Sequence, residues 1–261
     1  MQQMSDKIFK YPVKYFQLYS ELKNGGSIRE WVDKVESLSK DILNLSPEYN
    51  MVKIRMELAN NVKVFSEYEN IVCFTGFNEQ QGKFLESIGA IYSRYGIYTI
   101  SSERLAKYTQ KDEINVFKGD MLEFFAWMFF NAFKNDESLG LTDYKAVELD
   151  SDFGVDATGR NVNGRESVIQ VKYRKNPTDL IAYADIARTF TSALCQLHIN
   201  DVYTFNHTVF LFTTANGVSG AFDKVMGEKC VIVSRGIIAT KIDNNVSFWT
   251  ECYNKVFEML N

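Results

Sequence analysis

Three side chains with the chemistry to hydrolyse a phosphodiester are brought close together by their spacing. Asp156 is followed fourteen residues later by Gln170 and, two positions further on, by Lys172. The segment is typical of two strands joined by a polar turn, and residues i and i+2 of a strand point to the same face. We therefore expect Gln170 and Lys172 to project together, beside Asp156. A carboxylate, an amide oxygen and an ammonium on one face suit metal-dependent hydrolysis.

A fourth candidate, Glu123, lies in a helix predicted over residues 117–133. This helix is apolar nearly all round, which is typical of a buried helix. A buried carboxylate costs several kcal/mol unless it is paired or coordinates a cation. Two interpretations stay open from the residues alone. Either Glu123 is solvated or paired with a lysine, or it completes the metal site of the hairpin.

The elements that must position these residues follow one another as in an α/β protein. We predict a mostly helical N-terminal region over residues 1–112 and a domain carrying the candidate site over residues 113–261. Hydrophobic periodicity within that domain predicts helix, three strands, helix, strand, helix, strand and a closing helix. The predicted ranges are helices 117–133, 182–197, 220–226 and 246–260, and strands 144–149, 155–158, 167–173, 208–213 and 230–233.

The N-terminal region carries two helix-start signals. Ser27 and Glu30 have the spacing of a capping box, and Pro47 follows a serine as in a first helical turn. The short apolar run 71–74 is compatible with a strand or with a buried helical turn, and the apolar spacing over 84–92 predicts another helix. The polar run 108–113 is the candidate boundary between the two regions.

Composition limits the class of protein without identifying it. The chain has 261 residues, of which 46% are hydrophobic and 24% charged, enough for one large domain or two modest ones. Its four cysteines form no C-x-x-C pair, so we interpret them as reduced thiols of a cytoplasmic protein. No apolar run is long enough to span a membrane, so we expect no membrane partner. The net charge of −4 neither supports nor excludes a nucleic-acid partner.

Other catalytic schemes have no support in the sequence. The only two histidines, His198 and His207, lack the spacing of a metal-binding motif. The chain contains no G-x-S-x-G segment and no P-loop, so its sequence does not support a serine hydrolase triad or a nucleoside triphosphatase.

Taken in order, the candidate residues resemble the PD-(D/E)xK nuclease superfamily. The resemblance rests on Gly119-x-x-x-Glu123 in a helix, Asp152-x-Gly154-Val155-Asp156 entering a strand, and Gln170-x-Lys172 in the next strand. The chain is most similar to the Mrr-type restriction endonuclease domain, in which glutamine commonly replaces the acidic residue, and the likeness covers residues 115–243. It implies a restriction-endonuclease-like core, a central mixed sheet flanked by helices. Asp152 itself we interpret as a turn residue.

The resemblance also implies a role for each residue. Asp156 would be the central metal ligand, and the Gln170 side-chain oxygen, the Val171 carbonyl and Glu123 would complete the set. The metal would be Mg²⁺, with Mn²⁺ as a substitute. Lys172 would orient or deprotonate the attacking water and offset the charge that develops on the phosphorus.

DNA is the partner that this resemblance implies. The basic residues near the hairpin are candidate phosphate contacts, with an ordinary solvated surface as the alternative. They are Arg160, Arg165, Arg174 and Lys175. Cleavage of both strands needs two active sites, which implies a homodimer or a higher homo-oligomer. The expected function is a restriction-type DNA endonuclease. Two alternatives stay open: a structure-selective nuclease like a Holliday-junction resolvase, and a non-catalytic DNA-binding or regulatory module, because Gln170 carries no charge.

Overall fold

The architecture is described by a computed structural model of the chain. It describes residues 4–41, 63–68, 71–75, 79–87, 89–101, 110–149, 154–196, 209–226 and 230–261. The chain divides into two compact units, one of Met1–Glu36 with Lys118–Asn261 and the other of Ser37–Phe117. All of the candidate site residues belong to the first unit. The N-terminal 36 residues therefore pack with the segment that carries the site.

The described strands and helices are named in chain order. The strands are β1 (Met4–Asp6), β2 (Lys63–Tyr68), β3 (Ile71–Thr75), β4 (Ile91–Tyr92), β5 (Tyr98–Ser101), β6 (Leu141–Leu149), β7 (Ala157–Asn161), β8 (Glu166–Lys172), β9 (Leu180–Ile181), β10 (Val209–Thr213), β11 (Gly217–Val218) and β12 (Cys230–Val233). The helices are α1 (Pro12–Leu22), α2 (Ile28–Asp41), α3 (Glu79–Ser87), α4 (Gln110–Ala132), α5 (Ala187–Gln196), α6 (Gly220–Met226), α7 (Arg235–Asp243) and α8 (Phe248–Leu260). Single 3₁₀ turns lie at Glu137–Leu139 and Tyr183–Asp185.

The first unit is built on a mixed sheet, which agrees with the predicted α/β class. Five strands run in the order β6-β7-β8-β10-β12, and β1 adds a sixth at the β6 edge. The strands β6, β7 and β8 pair antiparallel, whereas β8, β10 and β12 pair parallel. β8 is thus a central strand, and central strands are covered on both faces. This agrees with the burial of its residues Ser167–Val171, of which Ser167 and Gln170 are polar.

Helices cover both faces of this sheet. On one face, Phe125 and Phe129 of α4 pack on Phe212 of β10, with ring centroids 6.0 and 5.3 Å apart. Leu211 precedes Phe212 in the strand and points to the opposite face. There it shares a buried cluster with Phe190 of α5 and Phe222 of α6. The helix-sheet-helix layers place the ends of β7, β8 and β10 between two helical layers.

The second unit corrects one of the predictions. Its described residues include a four-stranded antiparallel sheet in the order β2-β3-β5-β4, with the short helix α3. The mostly helical region predicted over 1–112 is therefore wrong for its later part. The apolar run 71–74 is a strand, and the helix predicted over 84–92 ends at Ser87 before β4. Short runs with β-branched and aromatic residues fit the hydrophobic period of a helix and that of a strand. Pairing with neighbouring strands makes these runs strands.

Most elements of the first unit lie within a few residues of their predicted ranges. The capping box is present, because the Glu30 amide donates to Ser27 Oγ at 3.2 Å and the Ser27 amide to Glu30 Oε2 at 2.8 Å. The predicted helix over 182–197 is a 3₁₀ turn followed by α5, and both β1 and α7 were missed. The polar run 108–113 lies partly inside α4, which begins at Gln110. The helix start predicted at Pro47 lies outside the described residues.

No helix in the described parts of the chain combines the length and the apolar character needed to cross a membrane. Two of the four cysteines, Cys230 and Cys252, are free thiols buried in the first unit.

Candidate functional site

The antiparallel pairing of β7 and β8 brings Asp156 and Gln170 together. Ala157 pairs with Ile169, so Asp156 stands opposite Gln170 at the end of the ladder. Gln170 Nε2 donates a hydrogen bond to Asp156 Oδ2, and the Val171 amide donates to the same oxygen at 2.6 Å. The Asp156 amide in turn donates to the Ile169 carbonyl at 2.9 Å. The spacing of fourteen residues therefore places the carboxylate directly against the amide.

The other side of the Gln170 amide faces helix α5. Gln170 is only 3% exposed, and the Thr189 hydroxyl lies 2.8 Å from its Oε1 atom. The same hydroxyl lies 2.5 Å from the carbonyl oxygen of Gly154. Gly154 has a φ of +69°, and a Cβ atom there would lie 2.9 Å from Gln170 Oε1. Only glycine allows the chain entering β7 to pass this close to the amide.

Lys172 ends β8 on the same face as Gln170. Its side chain is partly buried, and its ammonium forms no hydrogen bond or ion pair with any residue that the structure describes. The Thr213 hydroxyl donates to the Lys172 carbonyl at 2.6 Å and fixes the end of the strand against β10. Lys172 thus offers a positive charge near Asp156 that forms no ion pair with a described residue.

Glu123 reaches the site from helix α4 and is paired with a lysine that the sequence did not indicate. Lys7 Nζ lies 2.9 Å from Glu123 Oε2 and 4.0 Å from Asp120 Oδ1. The side chains of Lys7 and Glu123 are 13% and 15% exposed, so the pair is largely shielded from solvent. Of the two interpretations left open by the sequence, the lysine partner is present. This pairing does not exclude a role of Glu123 in a metal site, because the charge of Asp156 also raises the pKa of Glu123.

Burial makes both carboxyl groups of the site harder to ionise. Burial raises the pKa of Glu123 to about 8, the Asp156 carboxylate adds to the shift, and Lys7 opposes it. Burial also raises the pKa of Asp156, against the opposing effects of the Val171 amide and the Lys172 ammonium. When the pKa values of two neighbouring carboxyl groups are raised, a cation bound beside them stabilises their ionised forms.

Asp120 is a third acid beside Glu123, one helical turn earlier. It is 3% exposed, and its Oδ2 atom accepts hydrogen bonds from the Tyr15 hydroxyl and from the Lys10 amide. Its Oδ1 atom is buried without a hydrogen-bond partner among the described residues. Burial raises the pKa of this carboxyl group, although the Tyr15 hydrogen bond and Lys7 pull the pKa down. Lys7 therefore serves two buried acids.

The four predicted DNA contacts fall into two separate pairs. Arg174 and Lys175 follow β8 at the end that carries Lys172, and Arg174 Nη2 lies 3.0 Å from Asp185 Oδ2. Lys175 is 63% exposed, and its ammonium lies 3.8 Å from a Glu36 carboxylate oxygen. The second pair, Arg160 and Arg165, flanks the β7–β8 turn at the opposite end of the hairpin. Asp152 lies outside the described residues.

The candidate ligands do not form a conventional cluster. In the segments that the structure describes, no group of three or more histidine, cysteine, aspartate or glutamate side chains is arranged to hold a metal ion. The set at this site instead combines the carboxylates of Asp156 and Glu123 with an amide oxygen and a backbone carbonyl. Val171 O lies 3.4 Å from Gln170 Nε2 and is thus next to the side chain that would share the metal. Such oxygen atoms are the ligands that Mg²⁺ prefers.

Three residues of the site were missed by reasoning from the sequence. Thr189 and Lys7 carry no local signal, because each meets the site through a contact distant in sequence. Asp120 did carry one, since it stands three residues before Glu123 in the same apolar helix and hence on the same face.

Comparisons with known proteins place the chain in no family. No family model matches it, and no curated protein matches it. Among solved structures it is similar to the crystal structure of protein VC1899 from Vibrio cholerae, at 11% sequence identity and a TM-score of 0.35. The similarity covers 96% of this chain and 59% of that one, so the chain spans less than two thirds of its length. A TM-score of this size carries no argument about fold or activity.

Proposed function

We propose that the chain is a Mg²⁺-dependent DNA endonuclease with a restriction-endonuclease-like core of the PD-(D/E)xK type. One observation carries the proposal. Asp156 and Gln170 meet at the end of the β7–β8 ladder, and the ammonium of Lys172 lies near them without a hydrogen-bond or ion-pair partner among the described residues. The mixed sheet, with a hairpin leading into parallel strands and helices on both faces, agrees with such a core.

The residues present fit a divalent cation. Asp156, the Gln170 side-chain oxygen, the Val171 carbonyl and Glu123 would hold it, and bound Mg²⁺ would polarise the phosphate and acidify a water molecule. The fit is supported by Lys7, because the middle of α4 already accommodates a positive charge next to Asp120 and Glu123. The raised pKa values of Glu123 and Asp156 have the same first cause, burial, and a bound cation would offset it by favouring the ionised carboxylates.

The protein's own groups would act on the water and on the scissile phosphate. As an ammonium, Lys172 would orient the water and stabilise the negative charge that builds up on the phosphorus. As a neutral amine, it would instead accept the proton of the water. The water oxygen forms a bond to phosphorus as the bond to the 3′-oxygen breaks, and that oxygen leaves with a proton. This leaves 5′-phosphate and 3′-hydroxyl ends. The Thr213 hydrogen bond to the Lys172 carbonyl holds the Lys172 backbone at the end of β8.

Substrate binding would use the basic residues at the same end of β8. Arg174 and Lys175 are close in sequence to Lys172 and could contact phosphates on either side of the cleaved bond. Arg160 and Arg165 would reach DNA only at the far end of the hairpin. Duplex cleavage would need a second site, which a homodimer would supply.

The proposal is tested with supercoiled plasmid DNA in Mg²⁺ and in EDTA. We expect nicking only in Mg²⁺, and Lys172→Met, which keeps the length but removes the charge, should abolish it. The matched control is Lys145→Met, because Lys145 is an exposed lysine on β6 that pairs with Asp6. Equal activity of the wild type and Lys172→Met would exclude this site.

A second candidate function is a DNA-binding module without turnover. The observation that favours it is that Asp156 Oδ2 already accepts two hydrogen bonds and faces the nitrogen of Gln170, not its oxygen. Such a module would bind DNA equally well in Mg²⁺ and in EDTA. Fluorescence anisotropy with labelled duplex would detect this, and Asp156→Ala would leave the affinity unchanged.

A further inference from the structure

The Thr189 hydroxyl has more acceptors than it can serve. It lies 2.5 Å from the Gly154 carbonyl oxygen and 2.8 Å from Gln170 Oε1. A threonine hydroxyl has one proton to donate and lone pairs that accept. With the amide oriented as it is, either the partly buried Gly154 carbonyl or the buried Gln170 oxygen faces a lone pair of the hydroxyl. Buried acceptors without a donor are costly, so this arrangement favours an alternative.

The alternative is a rotation of the Gln170 amide by about 180° about its last side-chain bond, which exchanges its oxygen and nitrogen. Nε2 then donates to the Thr189 hydroxyl, and the hydroxyl donates to Gly154 O. Both contacts with Thr189 are then proper hydrogen bonds. On the opposite side, however, Gln170 Oε1 now faces Asp156 Oδ2, and two oxygen acceptors repel each other unless a cation lies between them.

We propose that Thr189 is a positioning residue that holds the Gln170 amide with its oxygen turned towards Asp156 when a divalent cation is bound. This inference rests on the proposed function, because it concerns the same metal site. Without the cation, the Asp156 carboxylate attracts the amide nitrogen, as the structure has it. With the cation, Thr189 holds the nitrogen away and presents the oxygen as a ligand. Glutamine needs such a partner, since only one of its two terminal atoms can bind a metal.

The surroundings leave the amide few other orientations. Gln170 is 3% exposed and Thr189 is fully buried. On the other side, Gly154 has no side chain, and a Cβ atom there would lie 2.9 Å from Gln170 Oε1 and 3.1 Å from Thr189 Oγ1. The amide is therefore confined between the Asp156 carboxylate and the Thr189 hydroxyl, and exchange of its two ends is the main freedom left to it.

The test measures Mn²⁺ binding to the purified protein by titration calorimetry, with three single variants and one double variant. Thr189→Val keeps the shape but removes the hydroxyl, and we expect it to weaken Mn²⁺ binding about 10-fold or more, as is typical of groups that orient a ligand. Thr189→Ser keeps the hydroxyl and should stay within about 3-fold of the wild type. Gln170→Glu offers an oxygen in both orientations, so adding Thr189→Val to it should weaken binding clearly less.

Each outcome has one meaning. An equal loss from Thr189→Val in the glutamine and glutamate backgrounds would reduce Thr189 to a packing residue, and no loss at all would also overturn the inference. If the wild type binds no Mn²⁺ and cuts no DNA, the proposed function fails together with the inference. If the wild type binds and cuts but Thr189→Val does the same, only the role of Thr189 fails.

A second measurement covers the case in which Thr189→Val does not fold. The side-chain NH₂ resonances of Gln170 can be followed by ¹⁵N NMR in the wild type and in Thr189→Ser as Mg²⁺ is added. The inference predicts that both proteins show a large shift of these resonances, because the NH₂ group stops donating to the Asp156 carboxylate and donates to the hydroxyl of residue 189. Resonances that do not move while Mg²⁺ binds would overturn it.

Discussion

The site has two halves that satisfy their buried acids in different ways. In the strand half, Asp156 is held by hydrogen bonds from Gln170 and from the Val171 amide, all within one hairpin. In the helix half, Glu123 is held by the charge of Lys7, which comes from the N-terminal segment. The strand half can be predicted from spacing, whereas the helix half depends on chain folding that brings distant residues together.

The two halves also differ in the property of the site that each one sets. Hydrogen bonds direct where oxygen atoms point, and they depend little on ionic strength. The ion pair of Lys7 and Glu123 instead sets how much negative charge the site presents, so it responds to pH and to an added cation. We therefore expect the strand half to govern geometry and catalysis and the helix half to govern charge and stability.

The largest expected effect comes from comparing the central acids of the two halves. Asp156→Ala should lower the rate of plasmid nicking in Mg²⁺ by more than about 10²-fold, whereas Glu123→Gln should lower it by about 10-fold. The reason is that Asp156 would bind the metal directly, while Glu123 shares its charge with Lys7. Glu166→Gln, at the exposed start of β8, is the control. A larger loss from Glu123→Gln than from Asp156→Ala would reverse the roles of the two halves.

The next effect is a pH dependence of stability that arises in the helix half. The pKa of Glu123 is about 8 in the folded chain because of burial and the nearby Asp156 charge. An unfolded glutamate titrates near 4.3, so the folded state binds more protons between these values. In EDTA, the free energy of unfolding should therefore fall as the pH rises from about 5 to 8, by at most about 1.4 kcal/mol per pH unit.

Urea denaturation at several pH values measures this dependence. Glu123→Gln should make the profile less steep, and the raised pKa values of Asp156 and Asp120 should keep part of the slope. Substitution of the exposed Glu137 by glutamine should leave the profile unchanged. A profile that is equally steep in Glu123→Gln would assign the pH dependence to another group.

The third largest expected effect is the loss of stability when the positive charge of Lys7 is removed from the helix half. Lys7→Met should lower the free energy of unfolding by about 2–3 kcal/mol at pH 8, because it leaves Glu123 and Asp120 buried without their cation. The loss should shrink at pH 5, where Glu123 is neutral. Lys145→Met, in an exposed ion pair with Asp6, should change stability little. A Lys7→Met protein as stable as the wild type at pH 8 would show that the helix half does not need its lysine.

The smallest expected effect concerns the glycine of the strand half. Gly154 and Gly164 both have positive φ, +69° and +74°, so alanine strains the backbone at either position. A Cβ atom at Gly164 meets nothing within 4 Å, whereas at Gly154 it approaches the Gln170 amide to 2.9 Å. Gly154→Ala should therefore cost about 1–2 kcal/mol more than Gly164→Ala in chemical denaturation. Equal costs would mean that the amide is not confined as described.

The strand half could be predicted from the sequence because its contacts follow local rules. Strand period and hairpin pairing placed Gln170 against Asp156, and the apolar helix around Glu123 indicated a buried acid. Lys7 and Thr189 could not be predicted, since nothing in residues 4–10 or in α5 specifies which distant side chain they meet. The four-stranded sheet of the second unit was missed for a related reason. Its strands are stabilised by their neighbours, and short apolar runs alone do not distinguish strand from helix.

The most direct test of the account is the anomalous scattering of Mn²⁺ in a crystal of the protein soaked with MnCl₂. The account predicts one strong peak between the two halves, about 2.0–2.6 Å from Asp156 Oδ, Gln170 Oε1 and the Val171 carbonyl oxygen. The Gln170 nitrogen should then face Thr189. A crystal that takes up Mn²⁺ elsewhere, or whose Gln170 nitrogen still faces Asp156 with no peak beside it, would contradict the account.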